Sequence, residues 1–189
     1  RLMRNALERT ETPPNHPSWL RLWTSEGRAL VTLSRLHEVE RGEELLRKAF
    51  DVATTLKPGI ELARVYGAMA FAASLRNDHE DATLFANEGV QQELDGPARA
   101  EALLDAADAN NADRNPEKAQ RFASDAWQLA TRPDLKIRTH LALAESSRLL
   151  SNFAEAEFEL QSAQALLERD AFPAFDARLR LLYGGILDD

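Results

Sequence analysis

Two short polar stretches contain the residues of this chain that could bind a metal ion. In the first, His79, Glu80 and Asp81 follow one another, and an imidazole beside two carboxylates could supply metal ligands. The same residue types also favour a polar turn that leads into a helix, because acidic side chains stabilise the first helical turn. We favour the turn, and we therefore expect no metal site here.

The second stretch, residues 108–119, has the composition of a calcium loop but not its spacing. An EF-hand loop needs oxygen ligands at positions 1, 3 and 5, glycine at 6 and glutamate at 12. Here position 5 is Ala112, position 6 is Asp113 and position 12 is Ala119. The stretch instead predicts the end of one helix, a turn, and a second helix that starts near Pro116.

Catalytic motifs are missing from the sequence. It contains none of the patterns GxxxxGK[ST], GxGxxG, GxSxG or HExxH, its four histidines lie in separate segments, and it has no cysteine. A thiolate site and a disulfide framework are thereby excluded. We expect a protein that is not an enzyme and that binds no cofactor or metal.

The composition predicts an all-helical protein. Its 189 residues are 44% hydrophobic and 29% charged, alanine and leucine dominate, and glycine and proline number only 8 each. The net charge is −8 and no lysine or arginine cluster is present, which argues against binding to nucleic acid or to an anionic membrane. The longest apolar run, residues 65–73, is too short to span a bilayer. We expect a cytoplasmic location.

A spacing of 37 residues recurs along the chain and defines successive pairs of helices. It separates four anchor residues, Leu45, Ala82, Ala119 and Ala156. Small or apolar residues stand four and seven positions after each anchor, and these offsets share one helical face. A face of small side chains lets another helix approach closely. The preceding helix repeats in the same register, through Leu33, Ala70, Ala107 and Ala144.

Breaks rich in proline and glycine set the expected boundaries. They place helical hairpins at about 19–56, 60–94, 97–131 and 134–169, after a short helix and loop over 1–17 and before a further helix over 173–187. Weaker turns divide each hairpin, at 39–43, 76–81, 113–117 and 150–155. The pattern predicts a single domain over residues 1–189. Because the sequence starts at Arg1 and stops in mid-pattern, we expect it to be part of a longer protein.

The pattern resembles the tetratricopeptide repeat, a family of helical hairpins with small residues at fixed positions in both helices. The alanines of the first and second helices match those small positions. The chain departs from the family in its period, 37 rather than about 34 residues, and in the helix-A tyrosine, which is replaced by Leu36, Ala73, Asn110 and Ser147. The resemblance implies a right-handed α-α superhelix, a TPR-like solenoid of about four hairpins plus terminal helices, of the degenerate kind found in larger bacterial regulators and sensors.

In tetratricopeptide arrays the first helices line a concave groove, and the resemblance implies partner-binding residues there. The candidates are Arg64, Phe71, Glu101, Asp108, Asn111, Arg138, Glu145 and Arg148. Arginine and asparagine would bind a carboxylate or a peptide backbone, while Phe71, Leu104 and Leu141 would make apolar contacts. The alternative is pairing within the chain, because Arg64, Glu101 and Arg138 form one column of alternating charge.

The terminal helix carries apolar residues without an evident capping helix, namely Leu179, Leu182, Tyr183 and Ile186. Because the ends of a solenoid normally need a polar cap, we expect this helix to be exposed. We also consider a homodimer formed through it.

The leading functional hypothesis is a protein- or peptide-binding scaffold within a bacterial regulatory or signalling protein. The alternative is a domain of a transcriptional regulator that senses a small ligand or a signalling peptide. An enzyme is a distant third. The fold by itself does not choose among them.

Overall fold

The computed structural model describes residues 7–8, 11–13, 16–32, 36–55, 59–169 and 172–188. Regular structure within these ranges is entirely helical, which confirms the predicted all-α class. The helices found there are α1 (Pro17–Thr32), α2 (Leu36–Ala53), α3 (Ile60–Leu75), α4 (His79–Val90), α5 (Gly96–Ala112), α6 (Pro116–Leu129), α7 (Pro133–Leu149), α8 (Phe153–Arg169) and α9 (Pro173–Asp188). Among them, none is long and apolar enough to cross a membrane. Most of the expected short helix before residue 17, and Leu33, lie outside the described ranges.

The chain was expected to form a single domain, and its contacts group it into two compact units, residues 1–94 and 95–189. In the first unit α1 pairs with α2 and α3 pairs with α4, and α3 also packs against both helices of the first pair. The core of this unit contains Leu20, Trp23, Ala49, Ala53, Leu62 and Val65.

The second unit repeats one packing relation. Here α5 pairs with α6 and α7 pairs with α8, while α7 also contacts both helices of the preceding pair. In the same way α9 contacts both α7 and α8. Leu179 and Leu182 of α9 are therefore only 5% and 9% exposed, in a core cluster with Ile137 and Leu141. The expectation that these two leucines are exposed is wrong, because α9 packs as the next first helix.

The predicted stripe of small residues on the second helices is buried. Ala82, Ala119 and Ala156 are each 0% exposed. The first hairpin follows a different register, since the buried residues of α2 are Gly42, Leu46, Ala49 and Ala53. The stripe there starts at Gly42, which lies 40 residues before Ala82, and not at Leu45.

The prediction of a turn at residues 39–43 is wrong, and the packing of Gly42 gives the reason. The helix α2 runs through these residues without a break. A Cβ atom on Gly42 would lie 2.8 Å from the carbonyl oxygen of Gly27 on α1. Glycine therefore serves close helix approach here rather than a turn.

The turns inside the other three hairpins share one backbone conformation. A non-glycine residue with positive φ ends the first helix of each, namely Asn77 at 58°, Arg114 at 54° and Ser151 at 61°. The following N–H donates to the carbonyl five residues earlier, in the bonds Asp78 to Ala73, Asn115 to Asn110 and Asn152 to Ser147. This is the Schellman arrangement, which satisfies carbonyl groups at a helix end. It recurs every 37 residues, as the sequence repeat does.

Candidate functional site

Charged side chains from the three first helices of the second unit meet in one ion-pair network. Arg138 of α7 donates from Nη2 to Oδ1 of Asp105 and to Oδ2 of Asp108, both on α5, at 2.6 Å. Arg178 of α9 donates from Nη2 to Oδ1 of Asp108 and to Oε2 of Glu145, each at 2.8 Å. Asp108 thus connects two arginines. We call Asp105, Asp108, Arg138, Glu145 and Arg178 the A-face network.

Members of the A-face network are neither fully buried nor freely solvated. Their exposed side-chain fractions range from 11% for Asp105 to 29% for Arg178. Burial alone would raise the pKa of the Asp108 carboxyl. The nearby charges of Arg178 and Arg138, and the hydrogen bonds they donate, outweigh that effect and hold this pKa well below its usual range. Asp108 is therefore ionised near neutral pH.

Three carboxylates and two guanidinium groups leave the network with one net negative charge. Its part-exposed oxygen atoms can accept hydrogen bonds from a basic side chain or a peptide N–H. Because both arginines are engaged with carboxylates of the same unit, contacts within the chain hold the network in place. No group of three or more histidine, aspartate or glutamate side chains within the described ranges could hold a metal ion.

Two other candidates of the second unit have partners outside the network. Glu101 accepts a hydrogen bond from Nη1 of Arg132 at 2.9 Å. Arg148 is half-buried, and its side chain lies next to Gly185 of α9, where an added Cβ atom would be 3.7 Å from its Cδ and Nε atoms. Arg138 is not neutralised through the predicted column of alternating charge, because its ion-pair partners are the two aspartates of α5.

Asn111 and two leucines are placed inside the second unit rather than on a groove. Asn111 is 3% exposed, and its Nδ2 donates to the carbonyl of Ala142 at 3.0 Å. Its Oδ1 accepts from the hydroxyl of Ser146 at 2.9 Å. The amide therefore joins α5 to α7. Leu104 and Leu141, which were expected to contact a partner, are both 0% exposed in the core.

The remaining two candidates, Arg64 and Phe71, lie in the first unit. Nη1 of Arg64 lies 3.7 Å from Oε1 of Glu61, the carboxylate that also accepts from Arg21 of α1. Phe71 is half-buried, and the guanidinium carbon of Arg28 lies 4.8 Å from the centre of its ring. This cation–π contact covers part of the aromatic surface that was expected to bind a partner.

Sequence reasoning missed two members of the A-face network, Asp105 and Arg178. Asp105 precedes Asp108 by three positions, so helical spacing places both on one face. In the 37-residue register Arg178 corresponds to the core residue Leu141, which hid its role. The spacing from proline reveals it, because Arg178 stands five residues after Pro173, as Arg138 does after Pro133.

Comparison with protein-family models, with curated proteins and with solved structures found no significant match to this chain.

Proposed function

We propose that this chain is a protein- or peptide-binding scaffold and that the A-face network of its second unit is part of the binding surface. The observation that carries the proposal is that three successive first helices, α5, α7 and α9, bring charged side chains together on one part-exposed face. The same helices also contribute buried apolar side chains, such as Leu104 of α5, Leu141 of α7 and Leu179 of α9. A charged, pre-paired face is suited to recognition, because its acceptors lose little freedom when a partner binds.

The chemistry of the face indicates the class of partner. With one net negative charge, the network favours a segment that presents a lysine or arginine together with backbone N–H donors. The proposal includes the TPR-like solenoid and the role in a bacterial cytoplasmic regulator that the sequence resemblance implies. Repeated packing of each first helix against the preceding pair supports it within each unit.

A peptide library displayed on phage and selected against the full chain tests this function. Selected peptides should carry basic residues, and Glu145→Gln should weaken their binding about tenfold, because one charge-assisted acceptor is lost. Asp125→Asn removes the same charge from an exposed position on α6 and should leave the affinity unchanged. Fluorescence anisotropy with labelled peptides provides the measurement.

Two results would count against the proposal. One is a library from which no peptide binds above background. The other is a set of peptides whose affinity depends on Asp125 and not on Glu145, since the binding surface would then lie on the second helices.

A further inference from the structure

An open cleft of about 210 Å³ lies in the first unit, between α2, α3 and α4. We call it the α2–α4 cleft. Half of the residues that line it are apolar, namely Leu46, Met69, Ala72 and Phe85. Leu46 and Ala72 are buried, whereas Met69 and Phe85 are half-buried. A methionine side chain is flexible and adapts to the shape of a neighbour. The cleft therefore offers an apolar surface to a small aliphatic group.

The other half of the lining is charged, and its four groups balance to zero. They are Glu43, Arg47, Arg76 and Asp81. Nη1 of Arg76 donates to Oε1 of Glu43, so these two groups neutralise each other. Arg47 of α2 and Asp81 of α4 form no ion pair within the described part of the chain. The α2–α4 cleft thus presents one positive and one negative group to a ligand.

The carboxylate of Asp81 is not used by the helix that carries it. Asp81 stands in the first turn of α4, and its N–H donates to the side chain of the N-cap residue Asp78. An acidic side chain at this position can accept in return from the N–H of the cap residue, as in a capping box. Here that N–H donates instead to the carbonyl of Ala73, in the Schellman turn. The carboxylate of Asp81 therefore keeps its capacity to accept hydrogen bonds from a ligand.

Size and charge together select the class of ligand. Sites for drug-sized molecules measure about 300–1,000 Å³, so the α2–α4 cleft suits a smaller molecule. An anion without a positive group would be repelled by Asp81, and a cation without a negative group would be repelled by Arg47. A molecule with one charge of each sign and an aliphatic body matches all parts of the lining.

We propose that the α2–α4 cleft binds a free α-amino acid with an aliphatic side chain of the size of leucine or methionine. The carboxylate of the ligand pairs with Arg47, and its ammonium group pairs with Asp81. Its side chain contacts Met69 and Phe85. The cleft belongs to the first unit and the A-face network to the second, so the inference does not depend on the function proposed above.

Isothermal titration calorimetry with the full chain tests the proposal. L-leucine or L-methionine, added up to about 10 mM so that millimolar dissociation constants are measurable, should bind saturably with one molecule per chain. Three probes each lack one part of leucine: isocaproate lacks the ammonium group, isopentylamine the carboxylate, and glycine the aliphatic side chain. Each should bind at least about fivefold more weakly, because a charge-assisted hydrogen bond or an apolar contact is lost.

Two substitutions assign the charges of the ligand to side chains of the cleft. Asp81→Asn should weaken leucine binding about tenfold without weakening isocaproate, which has no ammonium group. Arg47→Gln should weaken leucine binding by a similar factor without weakening isopentylamine. Asp51→Asn on α2 and Arg121→Gln on α6 remove the same charges at exposed positions and should leave binding unchanged. Far-UV circular dichroism confirms that each variant is folded, and the three probes test the wild type independently of any variant.

Absence of saturable binding of both amino acids would overturn the proposal. So would an affinity for leucine that neither Asp81→Asn nor Arg47→Gln lowers, because the ligand would then lie elsewhere on the chain. Equal affinities for leucine and for isocaproate or isopentylamine would also refute it, since one of the two charges would then go unrecognised. Tighter binding of a tripeptide with leucine at either end would show that the cleft takes the end of a peptide and not a free amino acid.

Discussion

Two adjacent buried serines of α7 differ in whether the hydroxyl group has a hydrogen-bond partner. Ser146 and Ser147 are both 0% exposed. The Ser146 hydroxyl lies 2.9 Å from Oδ1 of Asn111 and from the carbonyl of Ala142, whereas the Ser147 hydroxyl has no hydrogen-bond partner. A buried hydroxyl that gives up water without a replacement bond costs stability.

We expect opposite effects from the two serine-to-alanine substitutions. Ser147→Ala should raise the free energy of unfolding by about 1 kcal/mol, because it removes an unpaired polar group and favours the helix. Ser146→Ala should lower it by about 1 kcal/mol, because it leaves Oδ1 of Asn111 without its donor. Urea denaturation followed by circular dichroism measures both, and a loss of stability in both variants would refute the interpretation of Ser147.

Asp108 makes the stability of the second unit depend on pH in the acidic range. Its pKa is lower in the folded chain than the ordinary value of about 4 in an unfolded chain. The stabilisation that ionised Asp108 provides is therefore complete above about pH 4. It is lost as the pH falls towards the pKa of Asp108 in the folded chain, because in this range only the unfolded chain takes up the proton.

Asp108→Asn should lower the free energy of unfolding by about 2 kcal/mol at pH 7, since it leaves two arginines short of a carboxylate. The difference from the wild type should shrink between about pH 4 and pH 2. Urea denaturation at pH 7, 4 and 2 provides the comparison. Asp125→Asn on α6 is the control, and a deficit for Asp108→Asn that stays constant with pH would contradict the assignment.

At the scale of elements, close helix approach distinguishes two glycines in helical segments. A Cβ atom on Gly42 would lie 2.8 Å from a backbone oxygen of α1, whereas one on Gly184 of α9 would meet nothing within 4 Å. Replacement of glycine by alanine is therefore expected to lower the stability of the chain at Gly42 and to raise it at Gly184.

Gly42→Ala should lower the free energy of unfolding by about 2 kcal/mol, because the helices must shift apart. Gly184→Ala should raise it by about 0.5–1 kcal/mol through helix propensity. The fluorescence of Trp19 and Trp23 in a Trp127→Phe background reports on the first unit, and circular dichroism reports on Gly184→Ala. Equal stability of the two variants would show that α1 and α2 do not approach as closely as described.

The repeat spacing predicted most elements, but it gave a turn inside α2 and did not predict how α9 packs. Proline and the recurring turns gave the boundaries of the last three hairpins, because these residues act on the local backbone. In the first hairpin Gly42 looked like a turn residue, and only its position opposite Gly27 shows that it serves helix packing. The role of α9 was also misjudged, because its distance from α7 is 40 residues and not 37.

At the scale of the whole molecule, the charge of −8 governs association with polyanions. We expect no binding of a labelled DNA duplex even at about 50 mM salt, where electrostatic attraction is strongest, because an acidic surface repels phosphate. Fluorescence anisotropy across a salt series provides the measurement. Binding that strengthens as salt is lowered would contradict the expectation that this chain does not contact nucleic acid.

The sequence by itself determined the helical class, the hairpin spacing and the buried alanine stripe. These properties follow from local backbone preference and from side-chain size at a fixed period, and both can be read directly from the amino-acid sequence. Only the tertiary structure decided that Asp108 pairs with Arg138 and Arg178, that Asn111 is buried, and that Leu179 and Leu182 of α9 lie in the core. Several charges stand within reach of each arginine, and the rotation and axial offset of each helix, which a periodic pattern does not encode, select the partners.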